Sequence, residues 1–406
     1  MAGNARGAAV DRVDGSSARA QDGRSDAGEG VGVDIDADLV QLLAPDGTLG
    51  ADPVYSAYVG DVDAAMLRGF YRDMALTRRF DAEATALQRQ GQLALWVPLR
   101  GQEAAQIGSG RATRPNDYIF PTYREHGVAL TRDVDFPQML RIFRGISNGG
   151  WDPRENNFHM YTMVLAAQLP HATGYAMGVT RDQAGWDRAR LEEDGTAVVA
   201  YFGDGSSSEG DAHESMVFAA SFNAPVVFFC QNNQWAISVP FSVQSKVPLA
   251  RRAAGYGIPG VRVDGNDVLA VLAVTRWALE RARRGEGPVL IEAQTYRMSA
   301  HTTADDPTKY RLSTDEEPWA AKDPLTRLER HLRASGQADD AFFEETAAAG
   351  DEMAARVRRE ALAFPAPSLE DAFGNVYAQA HPLIQEELAW HREYESGFAD
   401  AGEDAR

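Results

Sequence analysis

The sequence contains a single cysteine, Cys230, in 406 residues. One thiol cannot form an internal disulfide, and this usage is typical of a reducing compartment. The apolar residues 226–229 precede it, so we expect an inert thiol in a buried strand rather than a nucleophile. The sequence also lacks an apolar run of the roughly 18 residues that a membrane span needs, and its first residues lack the apolar segment of a signal peptide. These absences predict a cytoplasmic protein.

Positive charge is scarce as well. The 40 Lys and Arg residues are outnumbered by 59 Asp and Glu residues, which gives a formal net charge of −19. Such an excess repels the phosphates of nucleic acid and the anionic surface of a membrane. We therefore expect neither as a partner, and any small anion must be held by local groups.

Large apolar side chains are nearly missing from residues 1–35, which are rich in Gly, Ala, Asp, Arg and Ser. Such a segment cannot bury enough surface to offset the entropy of ordering, so we expect a disordered tail. Residues 36–406 contain the apolar residues of a core, and we expect a single domain with a C-terminal helical extension.

Beyond residue 60, the apolar pattern switches between helical spacing and short β-rich runs. A long amphipathic helix is predicted over residues 66–87, with Asp61 or Asp63 as its N-cap. Strands are predicted at residues 197–202, 226–230, 260–263 and 289–296, and helices at 211–222, 268–284, 353–362 and 383–394. The helix over 268–284 has Asn266 or Asp267 as its predicted N-cap. Strands that alternate with helices are typical of an α/β fold with a doubly wound parallel sheet, here with additional N- and C-terminal helices.

Two polar segments follow neighbouring predicted strands, Gly203-Asp204-Gly205 and Asn232-Asn233. Ligands of open parallel sheets bind beyond the carboxyl ends of the strands, so the two segments should lie together. Glycine lets the backbone approach a phosphate, and the following helix turns its positive end toward that anion. Asp204 and Asn233 offer oxygen atoms that suit magnesium. The pattern indicates a diphosphate held by a magnesium ion.

Two other interpretations compete with this one. Gly-Asp-Gly alone is usually a β-turn, but the amides of Asn232 and Asn233 follow an apolar run and are needlessly polar unless they bind something. A nicotinamide-dependent dehydrogenase also has Gly-x-Gly between a strand and a helix. It requires an acidic residue at the end of the next strand, where this chain has Gln231 and Asn232. The dinucleotide interpretation therefore fails.

The glycine segment, the 26 residues from 206 to 231 and the asparagine pair together resemble the thiamine diphosphate motif of transketolase-like enzymes. Further stretches are similar to the α subunit of the E1 component of pyruvate and branched-chain 2-oxo acid dehydrogenases. These stretches are Gly101-Gln102-Glu103-Ala104, Tyr123-Arg124-Glu125, residues 257–265, Tyr296-Arg297 and residues 301–307. The similarity runs from about residue 40 to residue 394 and implies a thiamine diphosphate-binding, transketolase-like fold.

The resemblance implies a role for each matching residue. Magnesium is expected to bind the side chains of Asp204 and Asn233 and the carbonyl of Trp235. His301 is the expected catalytic residue, on a polar loop over residues 300–309 that orders around the cofactor. The other expected cofactor contacts are Tyr123, Arg124, Leu165, Gly203, Gly205 and Ser206. Arg124 suits contact with the diphosphate because its planar guanidinium matches the geometry of phosphate oxygens.

In such enzymes, thiamine diphosphate supplies a nucleophilic carbon and an electron sink for oxidative decarboxylation of a 2-oxo acid, and the acyl group passes to a lipoyl group on the E2 acyltransferase. The glutamate that activates the cofactor comes from the β subunit of an α2β2 heterotetramer. No stretch of this chain resembles that subunit, so the resemblance implies half of an active site. Branched-chain 2-oxo acids are the favoured substrates and pyruvate the alternative. Two alternatives are more distant: a self-sufficient thiamine diphosphate-dependent decarboxylase, and a relative that only binds the cofactor.

Some segments depart from the family pattern. Members that bind potassium have hydroxyl side chains where residues 163–168 here read Met-Val-Leu-Ala-Ala-Gln, so a potassium site is doubtful. Residues 183–194 are expected to be an enlarged polar loop, without an assigned function. His159 and His171 lie in an apolar stretch, where a hydrogen-bonded position in the core is favoured over one in the substrate pocket.

Overall fold

The computed structural model of the chain describes residues 38–398, which lie within one compact unit. The tail expected at residues 1–35 lies outside the described residues. Among the helices of the described part, none has both the length and the apolar character needed to cross a membrane.

A six-stranded sheet, with all of its pairings parallel, forms the centre of the fold. Its strand order is β1-β7-β8-β4-β3-β2. The strands are β1 (Leu39–Val40), β2 (Tyr118–Phe120), β3 (Val198–Gly203), β4 (Val226–Asn232), β7 (Gly260–Asp264) and β8 (Val289–Gln294). A separate antiparallel hairpin pairs β5 (Trp235–Ala236) with β6 (Val239–Pro240). The hairpin directly follows β4, so it lies at the carboxyl edge of the sheet.

Sixteen helices accompany the strands in the described residues. Before β4 they are α1 (Ala64–Arg89), α2 (Glu103–Ala112), α3 (His126–Thr131), α4 (Phe136–Phe143), α5 (Pro153–Asn156), α6 (Gln168–Asp182), α7 (Arg188–Asp194) and α8 (Gly210–Ser221). After β4 they are α9 (Phe241–Gln244), α10 (Ala253–Tyr256), α11 (Val268–Arg283), α12 (Glu317–Ala320), α13 (Pro324–Ala334), α14 (Asp340–Ala363), α15 (Leu369–Gly374) and α16 (Pro382–Ser396). Short 3₁₀ helices span Ser56–Val59, Asp204–Ser208, Leu249–Arg252, Pro307–Lys309 and Ser313–Asp315.

Both faces of the sheet are buried, because successive residues of a strand enter two different cores. Val199 and Tyr201 of β3 pack with apolar residues of α1, α2 and α11. Ala200 and Phe202 of the same strand pack with α6 and α8 on the opposite face. A strand covered on both faces reads as a continuous apolar run, which β3 and β4 are. The expected α/β sheet with helices on both faces is therefore observed.

The long helices α1 and α11 begin within two residues of the predicted start, whereas α14 begins at Asp340, well before the predicted residue 353. The Asp63 carboxylate accepts a hydrogen bond from the Met66 amide at 2.8 Å and caps α1. The Asp267 carboxylate caps α11 by accepting from the amides of Leu269 and Ala270. A side-chain oxygen at the N-cap satisfies amides that have no partner inside the helix. These two caps decide between the candidates left open by the sequence.

Other predictions of secondary structure are also corrected by the structure. β4 continues two residues beyond the predicted end, whereas β8 stops at Gln294, two residues early. The predicted loop at 183–194 contains helix α7, capped by the Asp187 side chain. The glycine segment does not lead directly into α8, because its last two residues begin a 3₁₀ helix that spans residues 204–208. Helix α8 begins only after this 3₁₀ helix, with Glu209 as its N-cap.

Candidate active site

A cavity of about 250 Å³ opens at the carboxyl ends of β2, β3 and β4. Its wall is built from the segments that follow these strands, from the connection before α6 and from the loop that carries His301. All ten residues singled out from the sequence line it: Tyr123, Arg124, Leu165, Gly203, Asp204, Gly205, Ser206, Asn233, Trp235 and His301. The fold thus brings together residues that are far apart in the chain.

Asp204 provides a carboxylate on the cavity wall. Its Oδ2 accepts a hydrogen bond from Gln244 Nε2 at 3.1 Å, whereas its buried Oδ1 has no partner among the described residues. Burial raises the pKa of Asp204 to about 6. A buried carboxylate oxygen without a donor is costly unless a cation or a ligand completes it. The Asp204 environment therefore suits a metal ion.

Asn233 and Trp235 lie beside Asp204 on the turn that follows β4. Asn233 Oδ1 accepts from the Trp235 amide at 3.3 Å and keeps a second lone pair for another partner. Trp235 is paired with Pro240 in the hairpin. Because proline has no N–H, this pairing does not occupy the Trp235 carbonyl. Both predicted oxygen donors are therefore compatible with a cation next to Asp204.

The donor set has only one carboxylate. Within residues 38–398, no group of three His, Cys, Asp or Glu side chains is arranged to hold a metal ion. Magnesium takes six oxygen ligands and commonly receives several from phosphate and water. One carboxylate, one amide and one carbonyl therefore fit magnesium that arrives together with a phosphate ligand.

The backbone around the cavity is tightly packed and partly strained. A Cβ atom at Gly205 would lie 2.9 Å from the Ala236 Cβ, so the close approach of the two segments requires glycine. Ala166, Gln234 and Ile237 have positive φ angles of 65°, 73° and 54°. Non-glycine residues in this region are uncommon and concentrate at functional sites. All three are cavity-lining residues or their immediate neighbours.

Arg124 and His301 form one unit on another part of the wall. The Arg124 guanidinium is buried and donates to the carbonyls of Pro98 and His301. It also donates to His301 Nδ1 at 3.2 Å, so this nitrogen is unprotonated and the ring proton sits on Nε2. Burial and the charges of Arg124 and Arg297 lower the pKa of His301 to about 3. A neutral imidazole therefore faces the cavity, next to the Tyr123 ring.

The loop that carries His301 is held by a short hydrogen-bond network. The Asp305 carboxylate accepts from the His301 amide at 2.8 Å and from the Tyr310 hydroxyl. Arg297 donates to the Tyr310 hydroxyl and to the Ile237 carbonyl, each at 2.7 Å. This network joins the expected loop over residues 300–309 to the hairpin after β4. The loop contains no helix or strand other than the 3₁₀ turn at Pro307–Lys309.

Several polar residues in or beside the cavity wall had no role predicted from the sequence. The Glu125 carboxylate accepts from Thr122 Oγ1 and Gln231 Nε2, each at 2.6 Å, and burial raises its pKa. Gln102, which lines the cavity, contacts Asn233, and Gln244, which lies outside the lining, contacts Asp204. Gln102 and Glu125 stand inside stretches that resemble the family, but nothing in the local pattern distinguishes their roles. Their contacts with Asn233 and Gln231 join distant parts of the chain.

The two histidines considered for the substrate pocket lie outside the cavity lining. His159 is half-buried, with its Nδ1 3.4 Å from the Tyr118 hydroxyl. His171 is exposed on α6, so the expected core position is wrong for this residue. Helix α6 turns its small residues, not His171, toward the sheet.

Comparison with known proteins agrees with the motifs. The family model described as "Dehydrogenase E1 component" matches residues 71–364. The α subunit of 3-methyl-2-oxobutanoate dehydrogenase from Mycobacterium tuberculosis is 42% identical over 357 residues, which cover 88% of this chain and 94% of the relative. The pyruvate dehydrogenase E1 component α subunit of Acholeplasma laidlawii is 34% identical over 333 residues (80% and 93%), and that of Staphylococcus aureus 38% over 301 residues (74% and 78%). The chain therefore belongs to the dehydrogenase E1 component family, as a homologue of its α subunits.

Proposed function

We propose that this chain is the α subunit of a branched-chain 2-oxo acid dehydrogenase E1 component, with a thiamine diphosphate-binding, transketolase-like fold. It would bind thiamine diphosphate and magnesium in the cavity at the carboxyl edge of the sheet. The observation that carries this proposal is the unpartnered Asp204 oxygen beside Asn233, on a wall that also contains the Arg124 guanidinium. A cation site facing a guanidinium suits a diphosphate, which needs positive charge on a chain with a net charge of −19.

Each part of the cofactor has matching residues in the cavity. Asp204, Asn233 and the Trp235 carbonyl would hold magnesium, and the diphosphate would lie against Tyr123, Arg124 and the backbone at residues 203–206. Leu165 would contact the thiamine rings. The bound cofactor would supply the nucleophilic carbon and the electron sink for decarboxylation. His301 would donate a hydrogen bond from Nε2, since Arg124 holds Nδ1 as an acceptor.

Among the described residues that line the cavity, none offers a free carboxylic acid to activate the cofactor. Both oxygens of Glu125 accept hydrogen bonds, Asp204 is assigned to the cation, and Glu209 is exposed at the rim. Exposed apolar side chains surround the mouth, including Val164 at 70% and Ile237 at 52% relative exposure. An apolar rim around an incomplete site favours a protein partner that covers it. A β subunit, in an α2β2 heterotetramer, would supply the missing acid.

Helices α15 and α16 offer a second surface for that subunit. They pack chiefly against each other, and none of the 15 residues of α16 is buried. Leu383, Trp390 and Tyr394 form an exposed apolar stripe along α16. Exposed aromatic side chains at helical spacing are typical of protein interfaces. The same assembly would deliver the acyl group to a lipoyl-bearing E2 acyltransferase, and the single buried cysteine favours the cytoplasm.

The substrate assignment follows the mycobacterial relative, which covers nearly all of the chain. Pyruvate is the second candidate, because the relatives from Acholeplasma laidlawii and Staphylococcus aureus are pyruvate dehydrogenase subunits. One methylene in a pocket gives only about 1–3 kcal/mol of discrimination, so a few wall residues decide between these acids.

The test is an assay of the chain co-purified with its β-type partner, on 3-methyl-2-oxobutanoate and on pyruvate. We expect decarboxylation that depends on thiamine diphosphate and magnesium, with a larger kcat/KM for the branched acid. A larger value for pyruvate would reassign the substrate. Turnover by the isolated chain would instead indicate a self-sufficient decarboxylase.

A further inference from the structure

Two glutamine side chains contact the two side chains proposed to hold magnesium. Gln102, at the start of α2, accepts a hydrogen bond on Oε1 from Asn233 Nδ2 at 3.3 Å. Gln244, the last residue of α9, donates from Nε2 to Asp204 Oδ2 at 3.1 Å. Neither glutamine is part of the segments that carry Asp204 and Asn233.

The amide of Asn233 can serve a cation in only one orientation. A metal ion binds the amide oxygen, so the NH₂ group must face away from it. Gln102 Oε1 receives this NH₂ group, and the Trp235 amide donates to Asn233 Oδ1 on the other side. The Gln102 amide must therefore act as an acceptor here. The Nε2 atom of Gln102 is buried and has no partner among the described residues. No hydrogen bond to this nitrogen therefore favours the flipped orientation of the side-chain amide.

The contact with Asp204 has the opposite polarity. A carboxylate only accepts hydrogen bonds, so Gln244 must act as the donor. The Gln244 amide occupies Oδ2 and restrains the carboxylate, whose buried Oδ1 has no hydrogen-bond partner among the described residues. The two glutamines therefore use different halves of the same amide group.

The fold fixes Gln102 with little freedom. The Gln102 side chain is fully buried, and the backbone N–H of Gln102 donates to the Leu99 carbonyl at 3.0 Å. The preceding residue, Gly101, has φ +97°, and a Cβ atom there would overlap the Tyr296 carbonyl. Only glycine permits this approach, which presses the start of α2 against the segment after β8.

We propose that Gln102 and Gln244 are positioning residues that hold Asn233 and Asp204 in the orientation needed for magnesium, the first by accepting and the second by donating a hydrogen bond. This inference rests on the proposed function. Groups that orient metal ligands typically change metal affinity or activity by about 10- to 100-fold when they are removed. The opposite polarity of the two contacts makes the same substitution give different results at the two positions.

The experiment uses the full chain co-purified with its β-type partner and compares Gln102→Met, Gln102→Glu, Gln244→Met and Gln244→Glu. Calorimetry with thiamine diphosphate measures affinity over a magnesium titration. Both Met variants should weaken magnesium-dependent binding by about 10- to 100-fold. Gln102→Glu should restore most of that affinity, because a carboxylate accepts as the amide oxygen does. Gln244→Glu should bind at least as weakly as Gln244→Met, because it cannot donate and sets a second negative charge against Asp204.

Gln183→Met, at the end of α6 and outside the cavity lining, is the matched control and should bind like the wild type. Gln102→Glu as weak as Gln102→Met, or Gln244→Glu as tight as the wild type, would overturn the assigned polarity. A Met variant that fails to fold leaves the two Glu variants to decide. If the wild-type assembly shows no magnesium-dependent binding of thiamine diphosphate, the proposed function fails. If the wild type binds and none of the four variants changes the affinity, only the proposal for Gln102 and Gln244 fails.

Discussion

At the residue scale, the site is recognised by which buried polar atoms have partners. The Glu125 carboxylate accepts from Thr122 and Gln231, so its burial is compensated within the protein. Asp204 Oδ1 is also buried but has no partner among the described residues. Leaving such an atom unsatisfied costs roughly 1–3 kcal/mol. A buried polar atom without a partner on a cavity wall therefore indicates a ligand site. A buried polar atom with protein partners indicates a structural role.

Asp204→Asn tests this at the proposed cation site. The variant should lose most of its magnesium-dependent affinity for thiamine diphosphate, because an amide is a much weaker ligand for magnesium than a carboxylate. Its melting temperature without cofactor should not fall, since the lost charge is buried with one oxygen unpartnered. Calorimetry and thermal melts measure the two effects. Undiminished affinity in the folded variant would contradict the cation site.

His126 gives a pH dependence to the fold itself. Its Nε2 donates to the Val97 carbonyl and its Nδ1 accepts from the Tyr161 hydroxyl, so the ring is neutral. Burial lowers the pKa of His126 from 6.5 to about 3. The unfolded chain therefore binds a proton below pH 6.5 that the folded chain does not. The stabilising contribution is complete above pH 6.5 and is lost as the pH falls toward 3.

We expect His126→Gln to reduce this dependence. Between pH 6.5 and 4.5, the free energy of unfolding of the wild type should fall more steeply than that of the variant, by about 1.4 kcal/mol per pH unit. Urea unfolding at several pH values measures both slopes. Parallel slopes would show that the imidazole is protonated in the folded state.

At the scale of elements, function is concentrated in the connections rather than in the helices and strands. The segments after β2, β3 and β4 provide most of the cavity wall, and three non-glycine residues with positive φ lie in or beside the wall. The loop over residues 300–309 has little regular structure, so its shape depends on side chains. Asp305, Tyr310 and Arg297 are the principal ties between this loop and the hairpin after β4.

Tyr310→Phe removes the hydroxyl at the centre of these ties. Asp305 then loses one donor and Arg297 one acceptor, so the loop that carries His301 should open more often. We expect faster tryptic cleavage at Lys309 and a fall in turnover of about tenfold, with little change in melting temperature. Limited proteolysis and steady-state kinetics of the α2β2 assembly measure both effects. Tyr58→Phe, on the Ser56–Val59 turn, is the control. Unchanged cleavage in Tyr310→Phe would contradict this account of the loop.

At the scale of the whole molecule, the described chain has a buried core and two surfaces that expose apolar side chains. The sheet is buried on both faces, but the mouth of the cavity and helix α16 expose apolar side chains. Trp390 and Tyr394 stack at 5.5 Å on α16 and face away from the core. Contiguous exposed aromatic residues of this kind are expected at subunit interfaces.

Trp390→Glu tests the second surface. It should weaken association with the β-type partner by at least tenfold, because burying a charge in place of an aromatic anchor costs more than about 1.4 kcal/mol. The melting temperature of the isolated chain should not change, since Trp390 is 58% exposed. Val54→Glu, at a similarly exposed position near the other end of the described chain, is the control. Sedimentation analysis gives the association constant. If the variant binds the β-type partner as tightly as the wild type does, or if it self-associates instead, α16 is not part of the interface with that partner.

The sequence by itself determined the α/β alternation and the caps of α1 and α11 to within two choices, and its resemblance to the E1 family implied the ten residues that meet in one cavity. Strand runs, caps and glycine turns depend on near neighbours in the chain, which is why they could be predicted. The ends of β4 and β8 and the helix within residues 183–194 could not, because ladder pairing and packing extend or stop an element beyond its own preference.

Only the tertiary structure decided which partner each polar atom has. Gln102 meets Asn233 from 131 positions away, and Arg124 meets His301 from 177. No local pattern contains the choice of donor or acceptor at such contacts, because it depends on the geometry with which α2, the strand ends and the His301 loop converge. The sequence named the residues at the site, and the packing of distant segments determined their orientation, the tautomer of His301 and the atoms that are left free for a ligand.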